Sequence, residues 1–256
     1  MRFDVITLFP ELFAPFLASG VTRRAYASGQ VAVVLWNPRD FGEGNYRRVD
    51  DRPFGGGPGM VMLAEPLAQC LAAVRAARGE PEAEQAPLLL FSPIGQRLDH
   101  AGVERWSQGP GAVLLCGRYE GIDQRFIDRY VDVQLSLGDF VLSGGELPAM
   151  ALLDAVARLQ PGVLHDAGSH AEDSFNPALD GLLDCPHYTR PEVWQGAGVP
   201  APLLSGHHAQ IAEWRRAQRV LWTARHRPDL IDAARAAGRL APADEALLAQ
   251  EQGRAL

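Results

Sequence analysis

Two short apolar runs, residues 113–116 and 131–137, each end in a loop that no regular element explains, and this pairing constrains the fold more than any other feature of the chain. Both runs read as buried strands. The first is followed by Gly117-Arg118-Tyr119-Glu120-Gly121, the second by Gly138-Asp139-Phe140-Val141-Leu142-Ser143-Gly144-Gly145. Glycine permits positive φ and lets a ligand approach the main chain closely. In open α/β sheets, ligands sit beyond the carboxyl ends of strands. Either loop alone is equally well read as a tight turn. Two of them at successive strand ends, carrying Arg118, Glu120, Asp123, Asp139 and Glu146, point to a binding site.

The surrounding pattern supports a sheet. Residues 3–9 read as a strand stopped by Pro10, and 31–36 as a second stopped by Asn37-Pro38. Residues 88–91 form another, ending in Ser92-Pro93-Ile94-Gly95. Helices are expected over 65–78, where Leu67, Cys70, Leu71 and Val74 recur at helical spacing, and over 147–159. Strands alternating with helices imply a parallel sheet covered on both faces. The residues by themselves predict an unknotted, doubly wound sheet. Residues 79–87 are acidic and proline-bearing and read as an exposed loop. Beyond residue 162 the texture changes. Residues 165–180 are polar and without period, which suits a linker, and proline-broken loops and helices follow from Gly181. Within 207–223, Ile211, Trp214, Leu221 and Trp222 form one helical stripe.

Composition removes several functions. All 24 basic residues are arginine, which excludes a Walker A phosphate loop and a Schiff-base lysine. No GxGxxG occurs, so a dinucleotide fold is poorly supported. The net charge of −7 argues against a protein that coats nucleic acid indiscriminately, though not against a local basic patch. Cys70, Cys116 and Cys185 are odd in number and scattered, so neither a disulfide framework nor a zinc site is suggested. Cys185 and His187 lack further partners, and no metal is expected there. No apolar run approaches a membrane span, and no basic segment precedes the first apolar residues, so a cytoplasmic location is expected.

Three segments suit nucleic acid. Arg47-Arg48 precede a glycine-rich loop, residues 50–60, whose composition fits either an anion-binding nest or a mobile surface loop. His187, Tyr188 and Arg190 supply aromatic and guanidinium planes that stack on unpaired bases. Arg215, Arg216, Arg219, Arg225 and Arg227 form a cluster with only Glu213 among it. The cluster reads as a phosphate-tracking patch or, more plainly, as a solvated helix face.

CGRYEGID and SLGDFVLSGGELPAM resemble the signature of the bacterial tRNA (guanine-37-N1)-methyltransferases, knotted enzymes of the SPOUT class. DDRPFGGGPGM, EDSF, GLLDCPHYTRP and SGHHAQIAEWR extend the likeness, which runs from FDVITLFPELF to HRPDL and leaves the residues after 230 outside it. The resemblance implies an α/β fold, a mainly parallel sheet with a deep trefoil knot, followed by a smaller helical domain. The implied domains are 1–163, catalytic and cofactor-binding; 164–180, a linker; and 181–256, helical and tRNA-binding. The implied reaction is S-adenosylmethionine-dependent methylation of N1 of guanine 37, 3′ to the anticodon.

By position, the resemblance assigns the cofactor to Ser92 and Pro93, to Gly117 and Glu120, and to Ser136, Leu137, Gly138, Asp139, Phe140, Val141, Leu142, Gly144 and Gly145. It makes Asp173 the general base and Arg158 the cation that stabilises guanine O6 as N1 loses its proton. It turns Asp50, Arg52, Gly57, Pro58 and Gly59 toward RNA, with His187, Arg190, Arg215 and Arg219 on the second domain. It implies an obligate homodimer with active sites at the subunit interface. Mg²⁺ is compatible with such chemistry, and no residue pattern specifies it. The chain departs from the family pattern at Phe54, at Leu90, where relatives often carry tyrosine, and at His207, where asparagine is usual. Two rivals remain. A non-catalytic RNA-binding protein would not need Asp173 and Arg158 together, and both are present. A nucleotide-dependent oxidoreductase or phosphotransferase is disfavoured by the absent lysine and glycine fingerprint.

Overall fold

Residues 88–90 and 112–116 are apolar at every position because the sheet they belong to is covered on both faces. The computed structural model describes residues 1–79, 81, 86–165 and 170–254, so the expected loop 79–87 and linker 164–180 lie partly outside the described residues. The chain divides into two units, Met1–His165 and Asp166–Leu256.

In the first unit the elements run β1 (Arg2–Ile6), α1 (Phe13–Ala18), α2 (Arg23–Ala27), β2 (Ala32–Trp36), β3 (Asp50–Asp51), β4 (Val61–Met62) and α3 (Ala64–Arg78). They continue with β5 (Leu88–Arg97), α4 (His100–Gln108), β6 (Gly111–Leu115), β7 (Gly121–Ile122), α5 (Gln124–Tyr130), β8 (Val133–Ser136) and α6 (Glu146–Arg158). The main sheet has the order β2-β1-β6-β5-β8, and every pairing in it is parallel. Because β8 lies on the far side of β5 from β6, the chain leaving β6 passes a strand it has already placed.

Alternation along the strands divides the core. Leu88, Leu90, Val113 and Leu115 face Leu67, Leu71 and Val74 of α3 and Phe126 of α5. Leu89, Ala112, Leu114 and Cys116 face the other way, against Phe13, Val103 and the α6 stripe Ala149, Leu152, Leu153, Val156 and Ala157. That stripe has the i, i+3, i+4, i+7, i+8 spacing of a helix buried along one face. Two local signals set helix starts, since Asp99 accepts from Gly102 N at 2.7 Å and Asp123 from Arg125 N at 3.0 Å.

Several elements differ from their sequence expectation. The first strand ends at Ile6 rather than residue 9, because the Thr7 hydroxyl accepts from Phe9 N at 3.0 Å and turns the chain. The expected strand 131–137 is shortened to Val133–Ser136. A three-stranded sheet, β3-β4-β7, was not foreseen; its two-residue strands are too short to carry a period.

The second unit contains a β9–β10 hairpin (Val193–Trp194, Ala197–Gly198), then α7 (Ala201–Leu204), α8 (His208–His226), α9 (Pro228–Ala236) and α10 (Pro242–Arg254). Its core is Leu182, Val220, Ile231, Ala234 and Leu248. The expected stripe of Ile211, Trp214, Leu221 and Trp222 is not what α8 buries. Val220 and Thr223 are its fully buried positions, and Trp222 stays 40% exposed, because α9 and α10 pack on the other side of the helix.

One buried charge anchors the first unit. Asp4, fully buried on β1, accepts from Arg78 Nε at 2.7 Å, Trp36 Nε1 at 2.8 Å and Arg2 Nη2 at 2.8 Å. Arg78 also donates to the carbonyls of Arg2 and Ala112, at 2.6 and 3.2 Å. Arg78→Leu leaves a buried carboxylate short of its nearest cation. Denaturant unfolding should show a loss of about 3 kcal/mol, the low end for a broken buried pair because Arg2 remains; a change near zero would mean that Arg2 and Trp36 suffice.

Candidate functional site

Three loops at the carboxyl edge of the sheet enclose a cavity of about 290 Å³. The first is a break within β5. Phe91 and Gln96 both pair with Leu135, so residues 92–95 are looped out between them, and the strand expected over 88–91 resumes to residue 97. Ser92 and Pro93 of this loop line the cavity. The second loop contributes Gly117 and Glu120, and the third Ser136, Leu137, Gly138, Phe140, Val141, Leu142, Gly144 and Gly145. Asp139, grouped with them on sequence grounds, is not part of the lining. Its side chain is 92% exposed and pairs with Arg97 at 3.0 Å. Leu90 is buried and forms part of the apolar wall together with Ile122, Leu135 and Pro148.

The second and third loops touch through their backbones. Gly145 N donates to Gly117 O at 3.0 Å, and a Cβ on Gly145 would lie 2.7 Å from Cys116 Cα, so only glycine allows α6 to start this close to the end of β6. Below the contact lies a charge pair that sequence reasoning left without a role. Glu146, 1% exposed, accepts from the Thr7 hydroxyl at 2.8 Å, and its Oε2 lies 2.9 Å from Arg118 Nη2, though off the direction of a hydrogen bond. Arg118 donates to Ser143 O at 3.2 Å and lies over the Phe9 ring at 4.3 Å. A Cβ on Gly144 would collide with both Arg118 and Glu146.

The small sheet brings the glycine-rich loop to the same region. Val61 and Met62 of β4 pair with Gly121 and Ile122 of β7, and Glu120 N donates to Met60 O at 3.0 Å. Gly59 has φ +80°, and a side chain there would meet Glu120. Asp50 interacts with the Tyr119 hydroxyl; burial and then the Asp50 charge push that phenol above its ordinary range. Arg52, Gly57 and Pro58 are exposed. Arg158 sits in the last turn of α6, half-buried and outside the cavity lining. At 1.5 Å per residue its Cα is about 18 Å along the helix axis from that of Glu146.

In the second unit, Asp173 is half-buried in the turn formed by residues 170–176. His187 is exposed and bonds Asp184 at 2.9 Å. Burial works against ionisation of Asp184, but the Cys185 N–H, His187 and Arg219 outweigh it and hold the carboxyl below its ordinary range. Tyr188 meets Trp214 edge-on at 6.1 Å between ring centroids, and Arg190 is exposed. The arginine cluster is less available than its sequence suggests. Arg216 is clamped by Asp180 and Asp244, Arg219 lies 3.4 Å from Asp184, Arg225 pairs with Glu251 at 3.0 Å and Arg227 with Asp229 at 2.6 Å. Asp229 is a sequence neighbour of Arg227, but Asp180, Asp184, Asp244 and Glu251 come from other turns and helices, so the run of arginines gave no sign of them. Arg215 is half-buried. At His207, Nδ1 accepts from Gln210 N at 3.4 Å and caps α8, the role an asparagine oxygen fills at such a position.

A parallel α/β unit with a glycine-lined cavity at its strand ends, joined to a helical unit, defines a ligand-binding α/β protein of the kind in which chemistry is done beyond the sheet. The description tRNA (Guanine-1)-methyltransferase TrmD belongs to a family model that matches residues 1–233. A tRNA (guanine-N(1)-)-methyltransferase of Paracidovorax citrulli is 78% identical over 253 residues, 99% of either chain. Proteins of the same name from Polaromonas sp. and Bordetella pertussis are 71% and 59% identical, covering 97% and 99% of this chain and 96% and 98% of their own. The chain therefore belongs to the tRNA (Guanine-1)-methyltransferase TrmD family, within the SPOUT class.

Among the described residues no group of three or more His, Cys, Asp or Glu gathers to hold a metal, and no helix is long and apolar enough to cross a membrane. Cys116, adjacent to the second loop, is fully buried, and burial followed by the Glu146 charge raises its thiol pKa well above the ordinary value. Burial pushes Cys70 up to about 12 and raises Cys185 as well. Because only the thiolate is nucleophilic, Ellman's reagent at pH 8 should label no cysteine in the native protein and all three after denaturation. Rapid native labelling of Cys116 would show that the packing of α6 on the end of β6 opens.

Proposed function

We propose that the chain methylates N1 of guanine 37 in tRNA, with S-adenosylmethionine as the methyl donor. The observation that carries this reading is that the three loops that the family resemblance assigns to the cofactor line one cavity. Its apolar wall suits an adenine ring, and the carboxylate of Glu120 suits the cationic methionine end. When bound, S-adenosylmethionine supplies an electrophilic methyl group. Asp173 accepts the N1 proton as that methyl is transferred, and Arg158 stabilises the negative charge growing on O6. A carboxylate is a weak base, so its effect rests on being held at the right place.

In this reading residues 1–163 form the knotted catalytic domain, 164–180 the linker and 181–256 the tRNA-binding domain, in a cytoplasmic homodimer. Asp50, Arg52, Gly57, Pro58, Gly59, His187, Arg190, Arg215 and Arg219 face the tRNA. The dimer is supported by apolar side chains left exposed on the loops and helix start that bound the cavity: Ile94 at 82%, Val141 at 89% and Leu147 at 59%. The base is supplied by the partner chain.

Mass spectrometry of a tRNA transcript incubated with the protein and S-adenosylmethionine should show one added methyl on guanine 37. Calorimetry should show binding of S-adenosylmethionine and of its demethylated product and none of NAD. Unmodified tRNA with intact RNA binding would instead favour a non-catalytic RNA-binding protein.

Asp173→Asn should slow single-turnover methyl transfer by a factor on the order of 10² to 10⁴, the usual worth of a positioned acid–base group, with S-adenosylmethionine binding unchanged. Co-refolding the inactive Asp173→Asn and Arg158→Ala chains should restore activity, because one site of the mixed dimer keeps both intact residues. A verified mixed dimer without activity would place both residues on one subunit.

A further inference from the structure

We propose that Asn176 is a positioning residue for Asp173, holding the turn that presents the base; the inference rests on the function proposed above. Asn176 is an uncharged polar residue only 7% exposed, buried like the apolar Leu179 and Leu182 that follow it, and its side chain is used at both ends. Its Nδ2 donates to His170 O at 3.0 Å, and its Oδ1 accepts from Ala178 N at 2.9 Å, capping the short 3₁₀ turn Pro177–Leu179. Its backbone N donates to Asp173 O at 3.2 Å, and Asp173 N donates to the same His170 carbonyl at 3.3 Å. Asp173 thus lies inside a ring closed by Asn176, its N–H and C=O both committed to that ring.

The turn is fixed on its other side as well. Ser174 Oγ accepts from Asp184 N at 2.9 Å, and Phe175 N donates to Leu182 O at 2.9 Å. Phe175 has φ +72°, a conformation that costs a bulky residue energy and persists only where the surroundings impose it. A loop whose sequence reads as linker is therefore held residue by residue around one carboxylate. The Asn176 side chain binds the chain on both sides of that carboxylate, at His170 before it and at Ala178 after it.

The test is a double-mutant cycle in the full-length protein, read by single-turnover methyl transfer to tRNA at saturating S-adenosylmethionine. Asn176→Ala should slow transfer by about 10- to 100-fold, the scale expected when a reacting group is misplaced by about 1 Å. The dissociation constants for tRNA and S-adenosylmethionine should stay within about threefold, and the rate should keep its wild-type pH profile, since the same carboxylate still takes the proton. In an Asp173→Asn background the same substitution should change the slow residual rate less than about twofold, because there is no base left to position. Asn176→Asp retains the acceptor for Ala178 N–H and loses the donor to His170; it should be slow too, and it carries the same cycle if Asn176→Ala melts below the assay temperature. Wild-type rates in Asn176→Ala or Asn176→Asp, or equal slowing with and without Asp173, overturn the proposal. Full activity in Asp173→Asn alone is a different result, visible before Asn176 is altered, and it removes the base assignment and this inference with it.

Discussion

The cavity depends on a carboxylate that water does not reach. Glu146 opens α6, where the helix N-terminus favours negative charge, and it joins Thr7 at the end of β1 to Arg118 in the loop after β6. Arg118 extends the link to Ser143 in the third loop and to the ring of Phe9. Loops from three separate parts of the chain are thereby registered against one another. A buried pair of this kind adds little net stability, but removing either member leaves an uncompensated charge, so the arrangement holds only as a whole. Gly144 and Gly145 follow from it, since any side chain at the first would displace the pair and any at the second would lift α6 off the sheet.

The second unit shows how an acidic protein accommodates many arginines. Arg216, Arg219, Arg225 and Arg227 each face a carboxylate of the same unit. Arg216 ties the turn at Asp180 to the start of α10 at Asp244, and Arg219 reaches Asp184 just after the turn that carries Asp173. Arg216 and Arg219 tie the unit together from largely covered positions, Arg225 and Arg227 pair at its surface, and the positive charge the four present outward is smaller than their number suggests. For a polyanionic partner this lowers the nonspecific, salt-sensitive part of binding and leaves more to exposed planar groups such as Tyr188, Arg190 and Trp194.

Part of this was legible in the amino-acid sequence. Apolar runs without alternation marked strands buried on both sides, and α3 and α6 fell within a residue of their expected bounds, because period and burial are encoded among near neighbours. Glycines after successive strands marked the loops that form the cavity, because glycine reports a backbone demand at its own position. The family likeness was readable in the same stretches, and the roles proposed for Asp173 and Arg158 came from it alone. What only the tertiary structure decided is which distant groups meet. Thr7 and Glu146 are 139 positions apart, the carboxylates that hold Arg216, Arg219 and Arg225 come from other elements, and the face α8 buries was chosen by the helices packed on it. The strands β3, β4 and β7 have no period of their own and exist because a neighbouring strand supplies their hydrogen bonds, and residues 92–95 loop out because Phe91 and Gln96 pair with the same residue of β8. Local pattern determines what each segment becomes; the partner of a buried charge is set by the path of the whole chain.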